Sequence, residues 1–197
     1  MISTVFPQEL FDVQYPAPGS PEIADLVIGN IGHSQVHADN EMWGLDHGTW
    51  SVLRHIFPEA KAPVLQLSLN MTKPPAYHYK VGVELRKLRD QGILIVGSGN
   101  IVHNLRKLSW ESNAKPFDWA IEFDSWVKER LLNKEVTPLL EDFIKRPDGK
   151  LSVPTPDHYY PLLYSVGASE KNDDVRIEYE EIQNSSISMQ TVSFGSL

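Results

Sequence analysis

Apolar positions along the chain change their spacing several times, and each change marks an element. Ser20, Pro21 and Glu22 make a good helix start, with Ile23, Leu26 and Val27 on one face and Gly29 or Gly32 placed to stop it. The run TWSVLRHIF sets Trp50, Leu53, Ile56 and Phe57 at helical spacing, and Pro58 ends it. VLQLSL at 64–69 is a short apolar run typical of a buried strand. Pro74 and Pro75 then open a helix in which Tyr77, Val81, Leu85 and Leu88 share a face, with Gly92 as its C-terminal cap. ILIVG at 93–97 follows as the most apolar strand of the chain.

A further helix is expected from Phe117 to Leu132, on Ala120, Phe123, Val127 and Leu131, and a shorter one from Pro138 to Ile144. Near the end, VRIEYEEI alternates Val175, Ile177 and Tyr179 with charged neighbours, and SISMQTVSF supplies a partner strand across a polar NSS turn. Alternating helices and strands with a strand pair at the end predict an α/β fold whose sheet is covered by helices on both faces. In such folds ligands gather where strands end in loops.

Composition narrows the function. A chain of 197 residues, 41% hydrophobic and 22% charged, without repeats or a long linker, reads as one domain spanning 1–197. Eighteen basic against 26 acidic residues, a net charge of −8, argue against a nucleic-acid partner, because no counterion-release footprint is available. The absence of cysteine excludes disulfides, Cys-ligated zinc and a thiolate nucleophile, leaving His and carboxylates to hold any metal. The opening MISTVFPQELFDVQYP has neither a basic segment nor an apolar core, and no apolar run reaches ~18 residues. A soluble, cytoplasmic protein without a membrane partner is the expectation.

The seven histidines are the raw material for chemistry. His33, His37, His55 and His78 fall in polar loops or on helix surfaces and are read as solvated. His47 lies in the turn GLDHG, either as a residue that a ligand can approach or as a cap of the following helix. His103 follows ILIVG in GSGNIVHN, at the carboxyl end of a strand where α/β enzymes keep their sites; alternatively the glycines and Asn100 simply make a tight turn there. His158, in the rigid loop PTPDHYYPLL, either holds a ligand or stacks among the tyrosines at the helix start that Pro161 marks. Tyr159, Tyr160 and Trp50 are candidates for a ring-binding pocket, although aromatic residues at such spacing are more often core.

Several motifs fail in the same stretch. A dinucleotide fingerprint needs glycine where Val102 stands, a phosphate loop needs a Gly-Lys-Ser/Thr ending, and a GxSxG elbow around Ser98 needs glycines at Val96 and Asn100. The three candidate histidines are about 55 residues apart and meet only through the fold. Imidazoles without cysteine suit a non-haem iron or zinc site and proton transfer near neutral pH.

FPQELFDVQYPAPGSPE, WGLDHGTWSVL, PVLQLSLN, LRKLRDQGILIVGSGNIVHNLR, PTPDHYYPLLYSVGA and SISMQTVSFG, in this order, resemble the class III extradiol ring-cleavage dioxygenases, in their 4,5-DOPA dioxygenase branch. The resemblance covers nearly the whole chain from Phe6 onward. It implies a three-layer sandwich with a central mixed sheet between helical layers, and one divalent metal at the loop ends. Iron(II) is expected for the class and zinc(II) for members of this branch.

Carried over residue by residue, His158 matches a metal ligand, and His103 matches a histidine facing the metal, as acid/base or as ligand. His47 matches the second-sphere histidine that positions catechol and dioxygen and transfers protons. Asn104 and Asp46 match orienting neighbours. The partners implied are a catecholic small molecule and O2, and for DOPA the ring-opened product is 4,5-seco-DOPA. A catechol must lose a phenolic proton with a free pKa near ~10, which explains a base beside the metal.

The family pattern also contains GHGSP and SAHW segments, each with a ligand histidine, and neither occurs in these 197 residues. The domain is therefore expected to be N-terminally incomplete, with weak metal affinity and with ILIVG and VLQLSL exposing apolar edges. A non-catalytic interaction protein on the same fold, or a metal hydrolase using the same histidines, are the competing expectations.

Overall fold

The computed structural model describes residues 8–32, 36–39, 43–111 and 113–195. A short α1 (Gln8–Phe11) leads through the proline-rich loop into α2 (Pro21–Ile31). Ser20 caps α2, its hydroxyl accepting from the Ile23 amide, and Gly32 closes the helix as anticipated. Helix α3 (His47–Ile56) is capped by Asp46, whose carboxylate accepts from the Thr49 amide at 2.8 Å. Helix α4 (Pro75–Leu85) continues as a 3-10 segment, Arg86–Gln91, which the left-handed Gly92 terminates.

The second half holds α5 (Asp118–Leu132), α6 (Val136–Glu141), α7 (Pro147–Ser152) and α8 (Tyr160–Ala168). The helix expected from Pro138 to Ile144 thus begins two residues earlier and ends three earlier, and α7 was not anticipated.

Phe123, Val127 and Leu131 of α5, Leu139 of α6, and Tyr159 and Leu163 around α8 form one core. Tyr159 and Tyr160 belong to the packing rather than to a pocket: the Tyr159 hydroxyl donates to the Leu139 carbonyl at 3.1 Å, and Tyr160 stacks on His78. A second core gathers Ile31, Val81, Leu85, Leu88 and Tyr164. Helices α4 and α8 lie very close, since a Cβ on Gly82 would sit 2.2 Å from the Tyr164 carbonyl oxygen.

The terminal strand pair forms as expected, β1 (Asp174–Tyr179) running antiparallel to β4 (Thr191–Gly195). Between them a smaller hairpin, β2 (Ile182–Gln183) and β3 (Ile187–Ser188), turns on Asn184 and Ser185, both at positive φ. The NSS sequence therefore closes this nested hairpin, not the outer one.

Mixed α/β structure is present, but among the described residues the ladders make only these two small antiparallel sheets. Residues 64–69 and 93–97 belong to no helix and have no ladder partner among the described residues, so the central mixed sheet does not form there. Their alternation is nevertheless that of strands. Leu67, Leu69, Ile93 and Ile95 face the second core, while Leu94 and Val96 stand 68% and 50% exposed.

His78 corrects the expectation of a solvated side chain. The ring is fully buried because the packing of α4 on α8 sets it against Tyr160, with centroids 4.1 Å apart. Its Nδ1 pairs with the Tyr164 hydroxyl at 3.0 Å. His37 and His55 are exposed, and His33 lies outside the described residues.

Candidate active site

Three loops converge where the 97–100 turn meets the start of α8. Neither Gly97 nor Gly99 has positive φ, so they are not there to make the turn. A Cβ on Gly99 would lie 2.2 Å from the His158 carbonyl oxygen, and one on Gly97 would lie 2.3 Å from that of Pro161. Only glycine lets this backbone press against the entry of α8. The contact is sealed by the Asn100 amide, which donates to the His158 carbonyl at 3.0 Å.

His103 is fixed from two sides. Its amide donates to the Ser152 carbonyl at 2.9 Å, and the residue forms an antiparallel bridge with Ile187 of β3. The Ser188 amide donates to the Val102 carbonyl at 2.9 Å, so residues 102–104 run along the small hairpin. The imidazoles of His103 and His158 stack, centroids 3.5 Å apart and planes within 12°. Imidazole lone pairs lie in the ring plane. Two parallel rings at this distance aim their lone pairs along separate planes, so the pair as placed would offer an ion one good nitrogen rather than two.

His47 is the first residue of α3, and its turn reaches the same place. The Ser98 hydroxyl donates to the Gly48 carbonyl at 2.8 Å, and Gln66 of the 64–69 segment accepts from the Asp46 amide at 2.8 Å. The charge of His47 acts on His158, so all three candidate histidines share one electrostatic neighbourhood.

Burial pushes His103 down to about 4, helped by His158 and opposed by Asp157. Burial also lowers His158, with Asp157 opposing and His47 reinforcing. Both rings are therefore neutral at pH 7, the form that ligates a metal or accepts a proton.

Among the described residues, no group of three or more His, Asp or Glu is arranged to hold a metal ion. The donor set fits a metal in part: His158 brings one imidazole nitrogen, and Asp157 lies 3.8 Å from its Nε2.

The orienting neighbours differ from those expected. Asn104 is buried and spends its amide on the Leu151 carbonyl and the Arg106 amide, while Asp46 caps α3. Asn100, by contrast, does touch a site histidine, its Oδ1 lying 3.1 Å from Nδ1 of His158. An amide flanked by two glycines at the end of an apolar run reads as a turn former, which conceals this contact. Trp50 is half-buried on α3.

Residues 2–195 match the family described as the catalytic LigB subunit of aromatic ring-opening dioxygenase. The chain belongs to that family. Members of it are metal-dependent extradiol dioxygenases, and the stacked histidines stand in a ring-cleavage enzyme scaffold. The chain is 43% identical over 193 residues to the 4,5-DOPA dioxygenase extradiol of Escherichia coli K12, covering 96% of this chain and 71% of that protein. With the Beta vulgaris protein of the same name it shares 36% identity, covering 97% and 72% respectively. A crystal structure of an uncharacterized E. coli K12 protein superposes with a TM-score of 0.85 at 42% identity, over 92% of this chain and 75% of that one. No helix among the described residues is long and apolar enough to cross a membrane.

Proposed function

We propose that this dioxygenase cleaves a catechol carrying an amino-acid side chain, DOPA being the substrate that the names of its relatives support. The observation that carries the assignment of roles is the parallel stack of His103 on His158. A stacked pair as placed serves one ion with only one ring, and the family resemblance puts His158 in the ligand's position, which leaves His103 as the acid/base beside it. His47 completes the site as the second-sphere histidine.

When bound, the metal supplies Lewis acidity at the catechol oxygens and brings catechol and dioxygen together. Iron(II) suits this oxygen chemistry better than zinc(II), which has no redox step. The neutral His103 accepts a phenolic proton as the catechol enters, and returns it while the carbon–carbon bond beside the diol opens. Both atoms of O2 end in the ring-opened acid aldehyde, so no external reductant is needed. His47, at the N-terminus of α3, orients the substrate from the opposite loop. For DOPA the product is 4,5-seco-DOPA.

The three-layer sandwich belongs to the same proposal, with residues 64–69 and 93–97 as inner strands of a central sheet. Their alternating inward and outward apolar residues support this. The remaining metal ligands would come from a segment carrying the GHGSP and SAHW histidines, which these 197 residues do not contain.

The test is oxygen uptake with DOPA by iron-loaded protein, using the 197-residue chain and the chain joined to the unmatched part of the E. coli relative. Uptake in either form, reduced about 100-fold or more in His103→Ala, is the expected result. No uptake from either form with iron bound would overturn the proposal in favour of a non-catalytic interaction protein.

A further inference from the structure

We propose that Asn100 is a positioning residue for His158, its side-chain amide locking the imidazole in the Nδ1–H tautomer so that Nε2 carries the lone pair offered to the site. The main-chain carbonyl of Ser188 lies 2.7 Å from the Asn100 side chain, and a carbonyl can only accept. The NH2 end of the amide must therefore face Ser188, which leaves Oδ1 facing His158 at 3.1 Å. Oδ1 can only accept as well, so Nδ1 of His158 is the donor and holds the ring proton. Nε2 is left unprotonated. Asp157, at 3.8 Å, is too far to claim it with a hydrogen bond.

The lock is anchored in the core. Ser188 donates through its amide to the Val102 carbonyl and through its hydroxyl to Asp124 at 2.5 Å, and the hydroxyl accepts from the Gln190 amide. Asp124 is a buried carboxyl on α5. A continuous series of hydrogen bonds thus runs from α5 through the small hairpin and Asn100 to the imidazole, across 58 residues of sequence between Asn100 and His158. Asn100 also grips the His158 main chain through its own amide, so ring and backbone are held together. The hairpin that bridges His103 at Ile187 carries Ser188 next in the chain, and one element sets both rings of the stack. Fixing the free ring nitrogen by a hydrogen bond to the other is how proteins commonly prepare a metal-ligating histidine.

This inference rests on the reading of His158 as a ligand, yet its first test needs no metal. Long-range 1H–15N correlation spectra of the full metal-free chain, labelled on histidine nitrogen and recorded near pH 8, report the tautomer directly. A His158→Gln spectrum assigns the resonances. His158 is expected as Nδ1–H in the wild type, shifted toward Nε2–H in Asn100→Leu, and retained as Nδ1–H in Asn100→Asp, which keeps the acceptor oxygen. Zinc(II) affinity by calorimetry is expected to fall about 10-fold or more in Asn100→Leu, with most of the loss restored in Asn100→Asp. An Nε2–H tautomer in the wild type would overturn the proposal even if Asn100→Leu fails to fold. So would an unshifted tautomer in a folded Asn100→Leu protein. Normal tautomer behaviour together with zinc binding that is indifferent to His158→Gln would instead count against the ligand assignment while leaving the Asn100 lock standing.

Discussion

Replacing Gly99 by alanine probes whether the GSGN segment is built for close approach. The new Cβ would lie 2.2 Å from the His158 carbonyl oxygen, where real Cβ atoms essentially never come below 3.0 Å, so the two segments must part by about 0.8 Å. The obstacle is backbone, not the flexible end of a side chain, and it is tied down by the Asn100 amide. Overpacking of this kind costs about 1–3 kcal/mol. For a chain of this length each kcal/mol lowers Tm by about 2–4 °C, which gives a fall of roughly 2–12 °C. The same displacement approaches the ~1 Å misplacement that costs about 100-fold in rate. Thermal unfolding followed by circular dichroism measures the first effect, and catechol-dependent oxygen uptake the second. Gly29→Ala is the matched control: it lies in α2 with nothing within 4 Å of the added carbon, and it should stabilise by about 0.5–1 kcal/mol. A Gly99→Ala protein as stable as the wild type would refute the close-approach reasoning.

Three further substitutions test the packing and the charges. Burial holds His78 below its ordinary value, so the fold favours the neutral ring; its contribution is complete above pH 6.5 and is lost as pH falls below that. His78→Phe, which keeps the stack on Tyr160, should lose less stability than the wild type between about pH 7.5 and pH 5 in urea unfolding, and an equal loss would contradict this. Phe123→Ala removes a fully buried ring packed near Tyr159 and Trp126 and should cost about 3–5 kcal/mol by the same measurement. Arg89, donating twice to Asp173, holds that carboxylate below the usual range, so its stabilisation is present above about pH 4 and disappears as pH falls further. Asp173→Asn should cost about 1–3 kcal/mol at neutral pH, with the gap to wild type narrowing in acid.

Local chemistry made the helices legible. Ser20, Gly92 and the Pro74–Pro75 pair act through caps and fixed φ within a few residues, and each marks the boundary it was expected to mark. Pro147 is an equally good local signal for the start of α7. The strands at 64–69 and 93–97 show their character in sequence but not their pairing, because a ladder needs a partner that local pattern does not name. The face of α4 is legible too: Tyr77, Val81, Leu85 and Leu88 all pack into the second core, and what the apolar pattern leaves out is His78 and Gly82, buried where the helix meets α8. The histidines were legible one by one from the shape of their loops. Their convergence is not, since it depends on backbone contacts between residues 97–100 and 158–161 and on a hairpin, Ile182–Ser188, far along the chain from His103. Asn100 escaped for a related reason: its meaning lies in Ser188 and His158, neither of which is near it in sequence.

Iron(II) calorimetry on His158→Ala and His103→Ala side by side is the most direct test of the division of labour within the stacked pair. Each variant is measured in the form of the protein that binds iron most tightly. Removing His158 is expected to lower affinity at least about 10-fold, whereas removing His103 is expected to leave it within about threefold while oxygen uptake collapses. Equal loss of iron binding in both variants would mean that the two rings separate to ligate together, and would contradict the assignment of His103 as the acid/base.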